Sequence, residues 1–399
     1  MSISVLVVDD SALMRNVVTK ILDAREDIHV CATAMNGLFA LQKIEKEKPD
    51  VIILDLEMPQ MNGIEFLKER RRRQIHIPVI ILSSLAEKGA RITMEALSLG
   101  AGDFIQKPSG SVSMDLHTVA DHLVELVRVY GGKAAEVAER TAGSPDAAGA
   151  NAEGGKPAGG QKTVAAPAVP SEGAKAHVAA GPPSGAPATP IIPTEEPGPI
   201  RLVAFGISTG GPNALRKVFA EFPGDIGAPI IVVQHMPAGF TEEFAKSLDK
   251  ICALTVRQAE DGALAEAGTI HIAPGNKHLT VERRHQGAVL RLSDDPPRNG
   301  HRPSVDILFH SVAKEYGNNA LAIIMTGMGR DGADGLVAIR KRGGHTIGQD
   351  RQTSIVYGMP KVAYELGAVE HQVALSQIAQ VVGELVSTGA WSGAPTTTG

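Results

Sequence analysis

The stretch Ile3-Ser4-Val5-Leu6-Val7-Val8-Asp9-Asp10-Ser11 decides the fold of the N-terminal part of the chain. It is an almost entirely apolar run that ends in two carboxylates, and such runs are typical of parallel strands buried on both faces. Amphipathic helical patterns separate it from four further apolar runs, at Val30–Ala34, Val51–Leu54, Val79–Leu82 and Phe104–Ile105. The pattern predicts a doubly wound α/β domain with a parallel sheet.

The composition then changes, and the change predicts how the rest of the chain is organised. Residues 131–199 consist mainly of Ala, Gly and Pro, with almost no aliphatic periodicity, which predicts a disordered linker. Apolar runs alternate with helical patterns again from Ile200 onward. We therefore expect a first domain over 1–125, a linker over 131–199, a second parallel-sheet α/β domain over 200–387 and a flexible tail over 388–399.

The overall composition excludes several classes of protein. The 399 residues carry a formal net charge of −5, which argues against nucleic-acid binding. The two cysteines, Cys31 and Cys252, are too few and too far apart for a disulfide framework or a CxxC metal site. We see no signal-peptide pattern and no apolar run long enough to cross a membrane. The expectation is a cytoplasmic protein without membrane insertion.

Acidic side chains meet at one edge of the first predicted sheet. Asp9 and Asp10 end the first strand and Asp55 ends the third. Ligands bind at this edge of open parallel sheets, and clustered carboxylates need a cation, for which Mg²⁺ is well suited. Lys107 and Ser83, at the ends of two further strands, supply a positive charge and a hydroxyl group.

At these positions the sequence resembles the receiver domain of response regulators. The resemblance covers residues 2 to about 125 and rests on the motifs Val8-Asp9-Asp10-Ser11, Leu54-Asp55-Leu56-Glu57-Met58-Pro59-Gln60-Met61-Asn62-Gly63, Ser83-Ser84 and Lys107-Pro108. It implies a flavodoxin-like sheet. It also implies that a histidine kinase transfers a phosphoryl group to Asp55.

The resemblance assigns a role to each polar residue at this edge. Mg²⁺ would be held by Asp10, Asp55 and the main-chain oxygen of Glu57, with Asp9 acting indirectly. Ser83 and Lys107 would contact the phosphoryl group, and Phe104 occupies the family's aromatic switch position. The phosphoryl group adds about 1.5–2 negative charges, which gives a physical reason for Ser83 and Lys107 to move inward.

The segment Gly206-Ile207-Ser208-Thr209-Gly210-Gly211-Pro212 follows the first strand of the second domain and allows three interpretations. Gly-x-Ser-x-Gly is the pattern of a serine nucleophile on a tight strand-to-helix turn. The spacing is also close to a dinucleotide-binding fingerprint. The third interpretation is a tight turn that simply requires small residues.

Two further residues favour the hydrolase. His235 follows the next predicted strand, and Asp331 lies in a glycine-rich loop after the strand Leu321–Met325. Ser208, His235 and Asp331 at one sheet edge match a nucleophile, a base and the residue that orients the base. Their chain order differs from the Ser, Asp, His order of α/β-hydrolases. A nucleotide site would place an acid where His235 stands.

The second domain resembles the catalytic domain of chemotaxis receptor methylesterases. The match covers about 200–385 and includes Gly206–Pro212, Gln234-His235-Met236-Pro237, Ile272–Gly275, His301–Asp306 and Met325–Gly332. It implies a Rossmann-like fold that hydrolyses glutamate methyl esters on chemoreceptors and deamidates receptor glutamines, without a cofactor at the hydrolytic site. The long linker departs from the family pattern. We expect it to weaken docking of the receiver and to raise basal activity.

The resemblance and the residues together give the expected roles in the second domain. Ser208 is the nucleophile, His235 the base and Asp331 the residue that orients it, while Thr209 and Met328 shape the site or bind the oxyanion. Arg302 and Asp306 either contact the receptor or form a structural ion pair.

A receptor-sequestering module without hydrolysis and a nucleotide-binding regulator remain as alternatives. In the resembled family the receiver covers the active site until it is phosphorylated.

Overall fold

The computed structural model describes residues 2–84, 87–107, 119–132, 189–391 and 393. Most of the expected linker (133–188) and most of the expected tail (392 and 394–399) lie outside the described residues. Among the residues that are described, no helix is both long and apolar enough to span a membrane.

The first domain is a parallel five-stranded sheet in the order β2-β1-β3-β4-β5. Its strands are β1 (Ile3–Val8), β2 (Ile28–Ala34), β3 (Val51–Asp55), β4 (Val79–Ser83) and β5 (Asp103–Gln106). Its helices are α1 (Ala12–Asp23), α2 (Gly37–Glu47), α3 (Gly63–Arg72), α4 (Glu87–Ser98) and α5 (119–132). The predicted strands and the doubly wound α/β fold are confirmed, because the apolar runs form the buried centre of the sheet.

The second domain contains a seven-stranded parallel sheet in the order β15-β14-β13-β6-β7-β10-β8 and an antiparallel sheet in the order β11-β12-β9. The strands of the parallel sheet are β6 (Leu202–Ile207), β7 (Ile230–Gln234), β8 (Thr255–Gln258), β10 (Thr269–Ile272), β13 (Ala320–Ile324), β14 (His345–Gln349) and β15 (His371–Val373). The antiparallel strands are β9 (Leu264–Ala265), β11 (His278–Arg284) and β12 (Gly287–Ser293). The helices are α6 (Gly211–Ala220), α7 (Thr241–Asp249), α8 (Val305–Glu315), α9 (Ala333–Lys341), α10 (Met359–Glu365) and α11 (Ile378–Thr388).

The end of the expected linker differs from the prediction. Ile191 N donates to Gly367 O at 3.0 Å, Thr194 N to Lys341 O at 2.8 Å, and Gly198 N to Asn318 O at 3.0 Å. Residues 189–199 therefore lie along the second domain. Composition did not predict this because backbone hydrogen bonds need no apolar side chains. We propose that the second structural unit begins before Ile191.

His271 on β10 is a buried imidazole outside the predicted sites. Its side chain is 1% exposed, and neither ring nitrogen has a hydrogen-bond partner among the described residues. Burial, assisted by the charge of Arg257, lowers the pKa of His271 from 6.5 to about 4. The folded protein thus holds this imidazole neutral, whereas the unfolded chain protonates it near its ordinary pKa.

His271 should therefore destabilise the fold as the pH falls. Between pH 6.5 and about 4 the unfolded state binds the proton more tightly, so the free energy of unfolding decreases by roughly 2–4 kcal/mol. His271→Leu removes the titrating group, and we expect its urea midpoints to depend less on pH than those of the unsubstituted protein. Equal pH dependence of both proteins between pH 7.5 and 4.5 would contradict this origin.

Candidate active site and domain interface

Ser208 lies on a turn between β6 and α6 that only small residues can form. Gly210 has a φ of 76°, in the left-handed region that favours glycine. A Cβ atom at Gly327 would lie 2.8 Å from Ser208 Cβ, so this neighbouring loop needs glycine for its close approach. Ser208 N donates to Thr326 O at 3.0 Å, which joins the two loops.

The three predicted residues meet at one edge of the second sheet. β13, β6 and β7 are neighbours, and their carboxyl ends bring together Asp331, Ser208 and His235. His235 Nδ1 lies 3.1 Å from Ser208 Oγ, and His235 Nε2 lies 2.8 Å from Asp331 Oδ2. Because a carboxylate accepts the proton on Nε2, the neutral imidazole presents the Nδ1 lone pair to the hydroxyl group.

Asp331 is a buried carboxylate surrounded by hydrogen-bond donors. Its Oδ1 accepts from Ser304 Oγ at 2.7 Å and from Asn299 Nδ2 at 2.8 Å, and its Oδ2 accepts from Val305 N at 2.6 Å. Ser304 and Val305 begin α8, so Asp331 also faces the positive end of a helix dipole. Burial alone would raise the pKa of Asp331, but the bonds from His235, Asn299 and Ser304 outweigh it and hold the pKa below its usual range.

Two other side chains contact this group, and the sequence interpretation assigned no role to either. The ring of His301 stacks on that of His235, with centroids 3.8 Å apart and planes at 14°. Burial, together with the charge of His235, lowers the pKa of His301 to about 4, so this second ring is neutral near pH 7. Gln234 Nε2 donates to Ser208 O at 3.0 Å.

The remaining predicted residues of the second domain have varied positions. Thr209 and Met328 line the same cleft as Ser208, which has a volume of about 720 Å³. Arg302 and Asp306, for which receptor contact and an ion pair were both open, do not pair with each other. Arg302 binds Asn276 Oδ1 at 2.7 Å and the main chain at Asp294 and Asp295. Asp306 is fully buried and accepts from Asn299 and from Gly335 N, because its place in the first turn of α8 points it into the fold.

The first domain brings its predicted acids together. Carboxylate oxygens of Asp9, Asp10 and Asp55 lie within 4.8 Å of one another. Lys107 Nζ lies 2.9 Å from an oxygen of Asp9 and 2.9 Å from an oxygen of Asp55. Burial raises the pKa of Asp55, and the charge of Lys107 opposes this shift. Burial would lower the pKa of Lys107, but the two carboxylates raise it above its ordinary value.

This cluster fits a hard divalent cation. Carboxylate oxygens are the ligands that Mg²⁺ prefers, and three of them converge here from two strand ends. Asp10 is exposed, so the cluster is open to solvent on its side. The chemistry of the donors therefore agrees with the magnesium site that the sequence predicts.

The predicted switch residues Ser83 and Phe104 contact groups other than Asp55. Ser83 Oγ lies 2.5 Å from Thr93 Oγ1 on α4. Phe104 is buried, and its ring packs on Phe240 of the second domain with centroids 4.7 Å apart. Phe104 thus belongs to the contact between the domains, which its sequence position alone did not predict.

Comparisons with known proteins identify a family for each domain. The family model described as CheB methylesterase matches residues 203–382, and that described as response regulator receiver domain matches residues 5–118. A protein-glutamate methylesterase/protein-glutamine glutaminase of Treponema denticola is 52% identical over 380 residues, which cover 95% of this chain and 97% of the relative. The chain belongs to the CheB methylesterase family.

A second relative resembles nearly the whole chain, and a solved structure resembles about half of it. The protein of the same name from Treponema pallidum is 48% identical over 392 residues, covering 95% of this chain and 96% of the relative. The crystal structure of the Thermotoga maritima CheB methylesterase catalytic domain is 38% identical, with a TM-score of 0.46, and covers 47% of this chain and 99% of that chain.

In this chain, the receiver domain borders the cleft of the second domain. Asp103 and Phe104 on β5 and His122 and Glu125 on α5 line the cleft that contains Ser208. Asp103 Oδ2 accepts a hydrogen bond from Gly210 N at 2.9 Å. Because Gly210 is the N-cap residue of α6 and has no side-chain cap of its own, the receiver supplies an acidic cap to a helix of the other domain.

A second contact fixes the same pair of elements. Asn213 Nδ2 on α6 donates to Ala101 O at 2.7 Å and to Gly102 O at 3.0 Å. Burial raises the pKa of Asp103 to about 6, although the bonds from Gly210 and Phe104 oppose this rise. The receiver domain thus binds the turn that carries Ser208 through β5 and the residues immediately before it.

Replacing Asp331 by asparagine should nearly abolish turnover. An amide NH₂ group would face the donors at Oδ1, or it would face the His235 and Val305 N–H groups at Oδ2 and force the wrong imidazole tautomer. Both orientations remove the negative charge that stabilises the imidazolium. We expect kcat to fall by up to about 10⁴-fold. Asp334→Asn, which alters an exposed neighbouring carboxylate, is the control and should change kcat less than about twofold. Equal effects of the two substitutions would contradict the role of Asp331.

Asp103 should contribute to docking of the receiver domain. Asp103→Ala leaves the buried Gly210 N–H without its acceptor, a loss on the order of 1–2 kcal/mol. We expect the unphosphorylated protein to become roughly 5- to 30-fold more active. Asp103→Asn keeps an acceptor oxygen at this position and should remain repressed. Unchanged basal activity in Asp103→Ala, measured as methanol release, would show that this bond does not hold the domains together.

Proposed function

We propose that this protein is a phosphorylation-activated serine hydrolase that removes methyl esters from glutamate side chains of chemoreceptors and deamidates receptor glutamines during adaptation in chemotaxis. The continuous chain of hydrogen bonds from Ser208 through His235 to Asp331 is the observation that carries the proposal. The names of its relatives, which cover nearly the whole chain, support both activities.

The first half of the reaction forms an acyl-enzyme. Ser208 Oγ attacks the ester carbonyl carbon while its proton passes to His235 Nδ1. The imidazolium is then held between the substrate and Asp331, whose negative charge stabilises it. Collapse of the tetrahedral intermediate breaks the bond to the methoxy group, which takes the proton from Nδ1 and leaves as methanol.

The second half releases glutamate. Water gives a proton to His235 Nδ1 and attacks the acyl carbon, and the proton returns to Ser208 Oγ as the acyl bond breaks. For a glutamine side chain the same steps release ammonia, a poorer leaving group that depends more on protonation by His235. The product in both cases is a glutamate carboxylate.

Backbone N–H groups beside Ser208 are the candidates for stabilising the oxyanion. Thr209 follows the nucleophile directly, and Met328 lies in the glycine-rich loop that contacts Ser208. One such donor lowers the barrier by about 3–4 kcal/mol when it points at the developing charge. We assign this role to the main chain at Met328 and the shaping of the site to Thr209.

Control of the reaction begins at Asp55. A histidine kinase of the chemotaxis system is the proposed phosphoryl donor, and Mg²⁺ held by Asp10, Asp55 and the Glu57 main-chain oxygen would neutralise charge during the transfer. Ser83 and Lys107 would then turn to the phosphoryl group. Ser83 would then leave Thr93 on α4. Separation of Phe104 from Phe240 would loosen the domain interface.

The long linker affects this control through docking of the receiver domain. That it weakens docking and raises basal activity stays a prediction. A longer tether lowers the effective concentration of the receiver at the methylesterase domain. Residues 189–199 are bound to the methylesterase domain, so the part that acts as a tether is shorter than the composition predicts. The hydrogen bonds of Asp103 and Asn213 contribute docking energy that does not depend on the tether.

Methanol release from methylated receptor membranes tests the proposed function. With Mg²⁺ and acetyl phosphate present, we expect release by the unsubstituted chain and a loss of at least about 10³-fold in Ser208→Ala, because no other nucleophile replaces the hydroxyl group. Release that survives the substitution would refute the triad. Receptor binding without any release would favour the sequestering module, and nucleotide binding without release would favour the regulator.

A further inference from the structure

Residues Arg298–His301 form a tight two-residue turn beside the active site. Arg298 N donates to His301 O at 3.0 Å, and His301 N donates to Arg298 O at 2.9 Å. The central residues Asn299 and Gly300 have φ values of 52° and 81°. Positive φ at both positions is the pattern of a type I′ turn, for which Asn-Gly is the preferred pair. The turn holds the Asn299 side chain at a fixed place.

The amide group of Asn299 joins two acids. Asn299 Nδ2 donates to Asp331 Oδ1 at 2.8 Å and to Asp306 Oδ2 at 2.7 Å. Asp331 is 1% exposed and Asp306 is 0% exposed, whereas Asn299 lies at the surface. The amide therefore covers the two carboxylates on their solvent side and gives one hydrogen to each.

Two neighbouring buried carboxylates create a difficulty for the triad. Groups in this arrangement commonly share one proton, because two like charges are costly where water is excluded. Asp306 N also donates to Asp331 Oδ1 at 3.3 Å, which keeps the two residues together. A proton shared with Asp306 would remove the negative charge that His235 needs. An NH₂ group between the acids supplies donors to both without neutralising either.

We propose that Asn299 is a positioning residue that keeps Asp331 charged and directed at His235 by separating it from Asp306. The proposal rests on the triad of the proposed function. The other titratable groups that interact with this pair are His235, His301 and Asp334. Burial raises the pKa of Asp306, with the charge of Asp331 adding to the rise, so Asp306 is the acid that would bring the shared proton.

The first test removes the amide and keeps the turn. Asn299→Gly retains the left-handed backbone, and we expect kcat to fall roughly 10- to 100-fold, the scale of one hydrogen bond to a buried charge. KM should change less than about twofold, since Asn299 does not line the cleft. The acidic limb of the kcat profile should move to lower pH, because an imidazole without a charged partner is harder to protonate.

The matched control and a second variant separate positioning from folding. Arg298→Gln alters an exposed side chain of the same turn and should leave kcat within about twofold. Asn299→Asp keeps the shape and backbone of asparagine but places a third acid against the pair, so its kcat should fall at least as far as that of Asn299→Gly. Full-length, phosphorylated protein and methylated receptor membranes serve for all assays, and circular dichroism verifies the fold.

The decisive test moves the amide donor from position 299 to position 306. Asp306→Asn alone should impair turnover, because its NH₂ group would face the NH₂ group of Asn299. Adding Asp306→Asn to Asn299→Gly should raise kcat several-fold above that of Asn299→Gly alone. The NH₂ group of the new asparagine at position 306 would donate to Asp331, while its oxygen would still accept from Gly335 N.

A purely structural role predicts the opposite result, that the double variant is no better than Asn299→Gly. That outcome, or a kcat of Asn299→Gly within about twofold of the unsubstituted enzyme, would overturn the proposal. If Ser208→Ala also retained activity, the triad itself would be wrong. Loss of activity in Ser208→Ala with normal turnover in Asn299→Gly would refute only the role of Asn299.

Discussion

The negative charge of Asp331, held out of contact with water, is the constraint on which the methylesterase domain depends. A carboxylate in such a place keeps its charge only if donors replace the lost hydration. Those donors come from the start of α8, from the turn at Asn299 and from His235. The positions of β13, α8 and the 298–301 turn are therefore linked through one side chain.

The receiver domain satisfies a comparable need at a second helix. The N-terminal N–H groups of a helix require acceptors, and α6 begins at glycine residues that have no side chain to offer. Asp103 supplies the acceptor from the other domain. α6 starts immediately after the turn that carries Ser208, so the receiver attaches beside the proposed nucleophile. Its departure would leave the helix end to water or substrate.

The sequence predicted much of the fold and which candidate site residues lie close together, and the reason is physical. Parallel strands are buried on both faces, so they appear as apolar runs, and polar residues after such runs must meet at one sheet edge. The same rule predicts that Ser208, His235 and Asp331 lie together, as they do in the structure. Strand β11 was missed because its Glu282, Arg283 and Arg284 side chains face water, which an antiparallel strand permits.

The residues that sequence interpretation could not assign act through long-range contacts. Asn299 lies 32 positions from Asp331, and Asp103 lies 107 positions from Gly210. The residue pattern within a single helix or strand does not predict contacts between residues so far apart in the chain. Asn299-Gly300 did offer one signal, since that dipeptide favours a tight turn, but only the fold shows which acids the turn meets. Of the two alternatives for Arg302 and Asp306, the structure does not show the ion pair, because α8 turns Asp306 into the fold.

The sites around Asp55 and Asp331 arrange neighbouring carboxylates in opposite ways. At Asp55 the carboxylates are gathered and Lys107 lies between two of them, an arrangement that suits the proposed cation and phosphoryl group. At Asp331 the neighbouring acid Asp306 must not share its proton with the triad. The neutral amide of Asn299 lies between the two acids and adds no competing charge. A lysine in place of Asn299 would compete with the imidazolium for Asp331, whereas an amide satisfies the acid and leaves its charge to His235.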